Sequence, residues 1–380
     1  MHRVRSTARA SSSLGFFLFL VCPVALVALF TVGTIHNHFA WDFRSYWHAG
    51  REITHGNSPY PSTAHGLLTP SWAGDGGAFL YPAPTAWAMV PFGVLPFGLA
   101  ATLFMLLSIA VVPVALRLLG VLDWRCYGVV FLWLPTLGAI RLGNLTPLLL
   151  LGVAACWRLR NETGQAWTLA ATVVAKLFLW PLLIWNALAG RLSRTLLSLT
   201  LITAGTLVSW AAIGFAGFSE FPHFMRSAER LSAANSYSLA AAGRALGLSW
   251  HATHIGLFVV GLALALGMAA YARAGDERSI LILAVGAALL LTPIEWLHYS
   301  LLLSAIVAVA QPRIGFLWFL PLAFWATPDE MSNGQMWRLT LGLSITLGTL
   351  GLALRESRRH AAPKSAVSRR ELVGSTATAA

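Results

Sequence analysis

Apolar runs recur along the whole chain, separated by short stretches rich in Arg, Gly and Pro. A helix that crosses a bilayer needs about 20 apolar residues, with shorter ones tolerated where protein shields them from lipid. On that rule the runs predict spans at Leu14–Ile35, Phe97–Leu118, Cys126–Ile140, Leu145–Trp157, Ala166–Phe178, Leu179–Leu188 and Thr195–Gly217. They continue at His254–Ala272, Ile280–Leu291, Leu297–Ala310, Ile314–Ala326 and Met336–Leu354. The expected fold is an all-α polytopic membrane protein of about twelve transmembrane helices. Residues 14–354 form one membrane domain, between a basic N-terminus (1–13) and a basic tail (355–380) rich in Ala, Ser and Arg that reads as disordered.

Two stretches admit alternatives. In one reading Pro84–Leu95 lies in the membrane interface, and Ala166–Leu188 makes two half-length crossings that meet at Lys176. In the other, Pro84–Leu95 crosses and Ala166–Leu188 is a single helix. Loops on the cytoplasmic side carry an excess of Lys and Arg. The first reading puts Arg117, Arg125, Arg158, Arg160, Arg191 and Arg194 there, whereas the second moves the first four outside and leaves Arg141 as the nearest replacement. The first is preferred, and it brings Lys176 to the outer face. Both termini are then cytoplasmic in a multi-pass plasma (inner) membrane protein. Two long segments, His36–Leu80 and Phe218–Thr253, lie outside; their density of Trp, Tyr, Phe and His suits amphipathic helices resting on the membrane. No internal repeat is evident, unlike transporters built from inverted repeats.

Composition agrees. Of 380 residues 57% are hydrophobic and 11% charged, where an ordinary soluble domain has roughly 25% charged. The net charge of +12 sits largely outside the apolar runs: Arg3, Arg5 and Arg9 precede the first, and Arg355, Arg358, Arg359, Lys364, Arg369 and Arg370 follow the last. Such clusters orient membrane segments and attract anionic lipid; with no folded basic domain, no nucleic-acid partner is expected. Cys22, Cys126 and Cys156 lie in or beside apolar runs, without the spacing of a disulfide framework or zinc site. The first run is longer than a signal-peptide core and lacks a small-residue cleavage site, so it reads as an uncleaved anchor.

The candidate chemistry begins at Asp42, just past the first span, in Trp41-Asp42-Phe43-Arg44-Ser45-Tyr46-Trp47-His48. A carboxylate near membrane depth is costly unless paired and is a functional candidate; on residue type alone an ion pair with Arg44 or Arg51 accounts for it equally well. The segment ends Gly56-Asn57-Ser58-Pro59-Tyr60. Then come Phe79-Leu80-Tyr81-Pro82-Ala83-Pro84, Gly143-Asn144-Leu145-Thr146-Pro147 and Lys176-Leu177-Phe178-Leu179-Trp180-Pro181. Asn235-Ser236-Tyr237-Ser238 with Arg244, and Pro293-Ile294-Glu295-Trp296-Leu297-His298-Tyr299, complete the series.

In this order the motifs resemble glycosyltransferase family 87, polyprenyl-phosphate-mannose-dependent mannosyltransferases of the type-C membrane fold. Two departures stand out: Ala83 interrupts a pair of prolines typical of the family, and Tyr299 stands where a second His often follows His298. The resemblance implies transfer of a hexose, mannose in the family, from a polyprenyl-phosphate donor to a lipid or glycan acceptor at the outer face, with inversion. An acceptor hydroxyl needs a base, and the resemblance implies Asp42. The leaving lipid phosphate needs cations and hydrogen-bond donors, for which Lys176, Arg244, Tyr81 and His298 are the candidates. Arg44, Tyr46, Asn144, Asn235, Ser236 and Glu295 are placed around sugar and acceptor. Arg244 reads equally as a snorkelling headgroup contact, and Glu295 equally as a structural partner of a Lys or Arg.

No cofactor or metal is expected. His36, His38, His48, His55 and His65 fit no zinc spacing, and Asp329-Glu330 reads as a solvated turn. The alternative function is a non-catalytic transporter, or a polymerase-like protein, for lipid-linked sugars. A transporter is expected to place its ionisable residues near the midplane of several helices.

Overall fold

The computed structural model describes residues 15–33, 39–60, 79–159, 163–232, 236–327 and 336–361. Among these every regular element is helical. A π-helical turn Phe17–Val21 leads into α1 (Cys22–Gly33). α2 (Trp41–Thr54) is followed by two short helices, α3 (Ala83–Ala88) and α4 (Val90–Gly93), and then by α5 (Phe97–Leu118). Next come α6 (Trp124–Phe131), α7 (Leu134–Leu142), α8 (Thr146–Arg158), α9 (Thr163–Ala175), α10 (Pro181–Leu188) and α11 (Leu192–Ala211). The second half comprises α12 (Phe221–Ser232), α13 (Leu239–Ala245), α14 (Trp250–Arg273), α15 (Glu277–Leu291), α16 (Leu303–Ala310) and α17 (Met336–Ala361).

Among the described residues four helices are long and apolar enough to cross a membrane: α5, α11, α14 and the Met336–Arg359 part of α17. α7 and α8 together make a fifth if their bent pair is one span; their axes turn by 114° at the break. The other expected spans are present as shorter helices or 3-10 turns, so a count of twelve crossings is not reached by length and composition.

Burial separates the helices. α15 is buried at every position from Ser279 to Leu290, and all of α16 is buried. A helix that is apolar all round and enclosed on all sides is the middle of a bundle. α14, equally apolar, exposes Ile255, Phe258, Val259, Leu262 and Leu266, and α11 exposes Leu196, Leu199, Leu207 and Val208. Such faces are stable only against lipid or a partner.

The stretch from α9 to α11 folds as a hairpin. Ser198 Oγ, early in α11, donates to the Ala166 carbonyl at the start of α9 (3.1 Å). Asn186 Nδ2, near the end of α10, donates to Thr195 Oγ1, again early in α11 (3.0 Å). At the other end, Thr85 Oγ1 of α3 donates to the Ala175 carbonyl (3.2 Å) and Trp87 Nε1 of α3 to the Ser209 carbonyl (3.1 Å). α9 and α11 therefore run the same way and α10 runs back against both. Lys176 sits at the apex with extended backbone (φ −156°, ψ 106°), followed by a 3-10 turn Leu177–Leu179. The arms measure about 20 and 18 Å, each short of the ~30 Å hydrocarbon core. This is the half-length arrangement the Arg distribution favours. A single helix over Ala166–Leu188 is absent, and Pro84–Leu95 is interrupted at Met89.

An aromatic block fixes α2 to one end of α5. Phe43 lies 4.7 Å from Phe104 and 6.3 Å from Phe97, centroid to centroid, and Tyr60 stacks on Trp210 at 4.4 Å. α2 buries Phe43, Tyr46, Trp47 and Ile53, the spacing of an amphipathic helix.

Candidate active site

Asp42 stands in the first turn of α2, and its place is set by backbone contacts. Ala40, left-handed at φ 50°, donates its N–H to the Arg141 carbonyl at the end of α7 (3.0 Å) and accepts from Arg44 N (2.9 Å). α7 ends in Gly143, also left-handed at φ 62°. A Cβ there would lie 2.6 Å from Phe43 Cβ, so glycine is required twice over, by conformation and by space. The 114° turn that follows delivers Asn144 to Asp42.

The Asn144 amide is oriented by its neighbours. Thr146 N–H (2.9 Å) and Thr146 Oγ1 (2.6 Å) both donate to Asn144 Oδ1, so the NH2 group must face the other way. It donates to Asp42 Oδ2 at 2.6 Å and to Tyr46 Oη at 3.3 Å. Tyr46 and Tyr81 share a hydroxyl–hydroxyl bond of 2.6 Å, and Lys176 Nζ donates to Tyr81 Oη at 3.2 Å. Burial, helped by the nearby Asp42 carboxylate, pushes both phenols above their ordinary range, so they stay neutral and able to donate. His298 Nε2 lies 3.6 Å from Asp42 Oδ2. Asp42 therefore pairs with His298 rather than with Arg44 or Arg51, and its side chain stays one-quarter exposed.

Lys176 is buried, and among the described residues no carboxylate pairs with it. Its ammonium lies 3.6 Å from the Tyr299 ring centroid and 5.0 Å from that of Tyr81. Phe178 stacks on Tyr299 with planes 4° apart at 5.3 Å. Aromatic faces stabilise a cation modestly, far less than a desolvated charge requires. The Asp42 carboxylate acts on the Lys176 ammonium through space without forming an ion pair.

His298 and Tyr299 belong to a 3-10 turn, Leu297–Leu302. At three residues per turn, consecutive side chains splay apart by about 120°, so one meets Asp42 while the next covers Lys176. Tyr299, a departure from the family's pattern, thus lines the cluster, together with Phe178, Thr146 and Tyr60, whose hydroxyl donates to the Tyr81 carbonyl (2.7 Å). None of these four was among the residues singled out for the site. Thr146, two residues after Asn144 and just before Pro147, carried a readable helix-start signal.

Glu295 forms a second group. It is 1% exposed; Oε1 accepts from Ser300 Oγ (3.3 Å), whereas Oε2 is buried without a hydrogen-bond partner. Its N–H donates to Ser236 Oγ (2.9 Å), its carbonyl accepts from Tyr237 N (2.7 Å), and Ser238 Oγ donates to the Pro293 carbonyl (3.0 Å). Ser236 and Glu295 are brought together, and they join the second outer segment to the turn bearing His298.

Other candidates lie apart. Arg44 is exposed, its guanidinium 4.6 Å from the Phe97 ring centroid. Arg244, half-buried, donates to the Arg230 carbonyl (3.4 Å). Asn235, His36, His38, His65, Asp329 and Glu330 lie outside the described residues. His48 and His55 are exposed, and His55 Nδ1 bonds the Arg51 carbonyl (2.8 Å).

The family model described as Glycosyltransferase family 87 matches residues 79–293, more than half of the chain. The match takes in Tyr81, Asn144, Lys176, Ser236 and Arg244; Asp42 precedes it, and Glu295 and His298 follow it. No curated protein and no solved structure matches the chain.

Proposed function

The chain belongs to glycosyltransferase family 87, and on that premise we propose that it transfers a hexose, mannose by the family's habit, from a polyprenyl-phosphate donor to a lipid or glycan acceptor. The observation that carries this reading is the unbroken polar chain from the Asp42 carboxylate through Asn144, Tyr46 and Tyr81 to the Lys176 ammonium. A base lies at one end, a cation for phosphate at the other, and neutral hydrogen-bonding groups lie between.

In the reaction, the acceptor hydroxyl oxygen attacks the anomeric carbon from the face opposite the phosphate. The new glycosidic bond forms as the carbon–oxygen bond to phosphate breaks, with inversion. Asp42 takes the hydroxyl proton. Oδ2 is held by Asn144, with His298 beside it, which leaves Oδ1 to face the acceptor. Polyprenyl phosphate departs, and its developing negative charge falls to Lys176 and the Tyr81 hydroxyl. Ser236 and Glu295, with Asn235 and Arg244 on the same outer segment, form the acceptor side of this reading. Arg44, turned onto Phe97, has no contact that supports a part in it.

The reading sets the cluster on the outer face. α5 is about 33 Å long; its Phe97–Phe104 end holds α2, whereas Arg117 is at its other end and Arg125 just beyond, consistent with the bias of Lys and Arg toward the cytoplasm. Full-length protein reconstituted in vesicles, given a radiolabelled polyprenyl-phosphate hexose and candidate acceptors, tests it. Asp42→Asn should remain folded and lose about 10²–10⁴-fold in rate; near-normal turnover would remove Asp42 from the mechanism.

A further inference from the structure

At the end of α5 remote from Asp42 there is a groove of about 510 Å³, within the size range of small-molecule sites. Its lining is Pro113, Val114, Arg117, Leu118, Leu122 and Tyr127. We propose that this groove binds one anionic membrane phospholipid, with its phosphate on Arg117 and an acyl chain against Pro113, Val114 and Leu118.

Three observations carry the assignment. The first is charge. Arg117 is exposed, and among the described residues no carboxylate pairs with it. The nearest carboxylate in sequence, Asp123, is already engaged: Arg125 donates to both its oxygens (2.9 and 2.8 Å) and Ile314 N–H donates to Oδ2 (3.0 Å). Arg125 correspondingly holds the Asp123 carboxyl below its usual range. The Arg125 guanidinium is thus neutralised, whereas that of Arg117 has only the neutral Tyr127 hydroxyl beside it and keeps its charge for a ligand.

The second is continuity with the lipid-facing surface. Leu99, Leu103, Leu106, Leu107 and Val114 are exposed large apolar residues of α5. Leu99, Leu103, Leu107 and Val114 follow one another at steps of four, four and seven residues, and Leu106 lies three after Leu103, so all five share one helical stripe that runs down into the groove. An apolar chain lying along α5 arrives with its head at Arg117. The third is the wall itself. Pro113 lies inside α5 and lacks an N–H, which interrupts the helical ladder and favours a bend there. Opposite it, Tyr127 is anchored by its hydroxyl to the Val121 carbonyl (2.6 Å), so its ring is a fixed side of the groove. Basic pockets between membrane helices recognise anionic headgroups in this way.

The groove lies about 20 Å along α5 from Phe104, which packs against the Asp42 segment, so its occupant is separate from any substrate held at Asp42. The proposal stands whether or not the transfer reaction does.

The test is native mass spectrometry of the full-length protein, delipidated in detergent and titrated with phosphatidylglycerol or phosphatidylcholine. Wild type should retain one phosphatidylglycerol about fivefold more tightly than phosphatidylcholine, the effect of one basic residue at a membrane surface. Arg117→Gln should abolish that preference, and Val114→Trp should lose the bound lipid by filling the apolar wall while leaving the charge. Equal retention of the two lipids by wild type, or an unchanged preference in Arg117→Gln, would overturn the proposal. So would a Val114→Trp protein that still holds phosphatidylglycerol like wild type, since surface charge alone would then explain the binding.

Discussion

Asn144 performs two tasks with one amide, and two substitutions separate them. Its carbonyl oxygen caps the start of α8 through Thr146, and its NH2 holds Asp42 at 2.6 Å. Serine and asparagine cap helices about equally well, and loss of a cap costs ~1 kcal/mol. Asn144→Ser should therefore keep the cap, and stability should change by less than about 1 kcal/mol. It cannot reach Asp42. A hydrogen bond to a charged group contributes about 1.5–3 kcal/mol, so if Asp42 must be held in place during proton transfer, turnover should fall roughly 10- to 150-fold. Asn144→Leu removes both tasks and should show the same fall in rate with ~1 kcal/mol less stability. The assays are radiolabelled hexose transfer in vesicles and thermal unfolding followed by tryptophan fluorescence. Near-wild-type turnover in Asn144→Ser would refute the argument. So would a rate loss that simply tracks loss of stability across the two variants.

Other outcomes follow from the same geometry. Lys176→Met should weaken binding of the phosphate donor strongly yet leave the unfolding temperature nearly unchanged, because it replaces an unpaired buried charge by an apolar chain; a titration with polyprenyl phosphate reads the first and a thermal scan the second. Lys176→Arg should recover binding only in part, since a planar fork does not reproduce a compact ammonium. Gly143→Ala should cost at least ~1–2 kcal/mol from the left-handed backbone alone, and more from the contact with Phe43, and it should reduce transfer by displacing α2. A cysteine placed at Ser62 should react with an impermeant reagent from outside, and those at Ser193 and Ser365 only after the membrane is opened; equal behaviour of Ser62 and Ser365 would put the Asp42 cluster on the wrong side.

Hydropathy located the apolar helices well and their bends poorly. The expected span Phe97–Leu118 coincides with α5, which exposes an apolar face on one side and has a clear break at each end. Cys126–Ile140 reads equally apolar, yet it divides at Leu132–Trp133 into α6 and α7, where Pro135 starts a new helix and the Trp133 indole donates to the Trp318 carbonyl (2.9 Å). Leu297–Ala310 begins as a 3-10 turn for a related reason: segments buried in protein can depart from the α-helix because neighbouring groups satisfy the backbone. The same holds for the site. Asp42, Asn144 and Lys176 were legible because each is a polar residue beside an apolar run. Arg44 was not, since its spacing from Asp42 in sequence says nothing about which side of α2 it leaves. Tyr299 was passed over as a deviation from a pattern, although in a 3-10 turn it occupies its own direction beside Lys176.

The hairpin of α9 and α10 fixes how this protein can vary in length. Both arms are moored at the start of α11, so the height and heading of the apex are set by counting residues up one arm and down the other. Adding one residue to α9 would swing the apex by about 100° and raise it by about 1.5 Å, carrying the Lys176 ammonium away from Tyr81 and Tyr299. A compensating deletion in α10 would restore the mooring but leave the heading wrong. Substitutions on the outward face of these arms can accumulate freely, whereas their residue counts are held together as a single quantity.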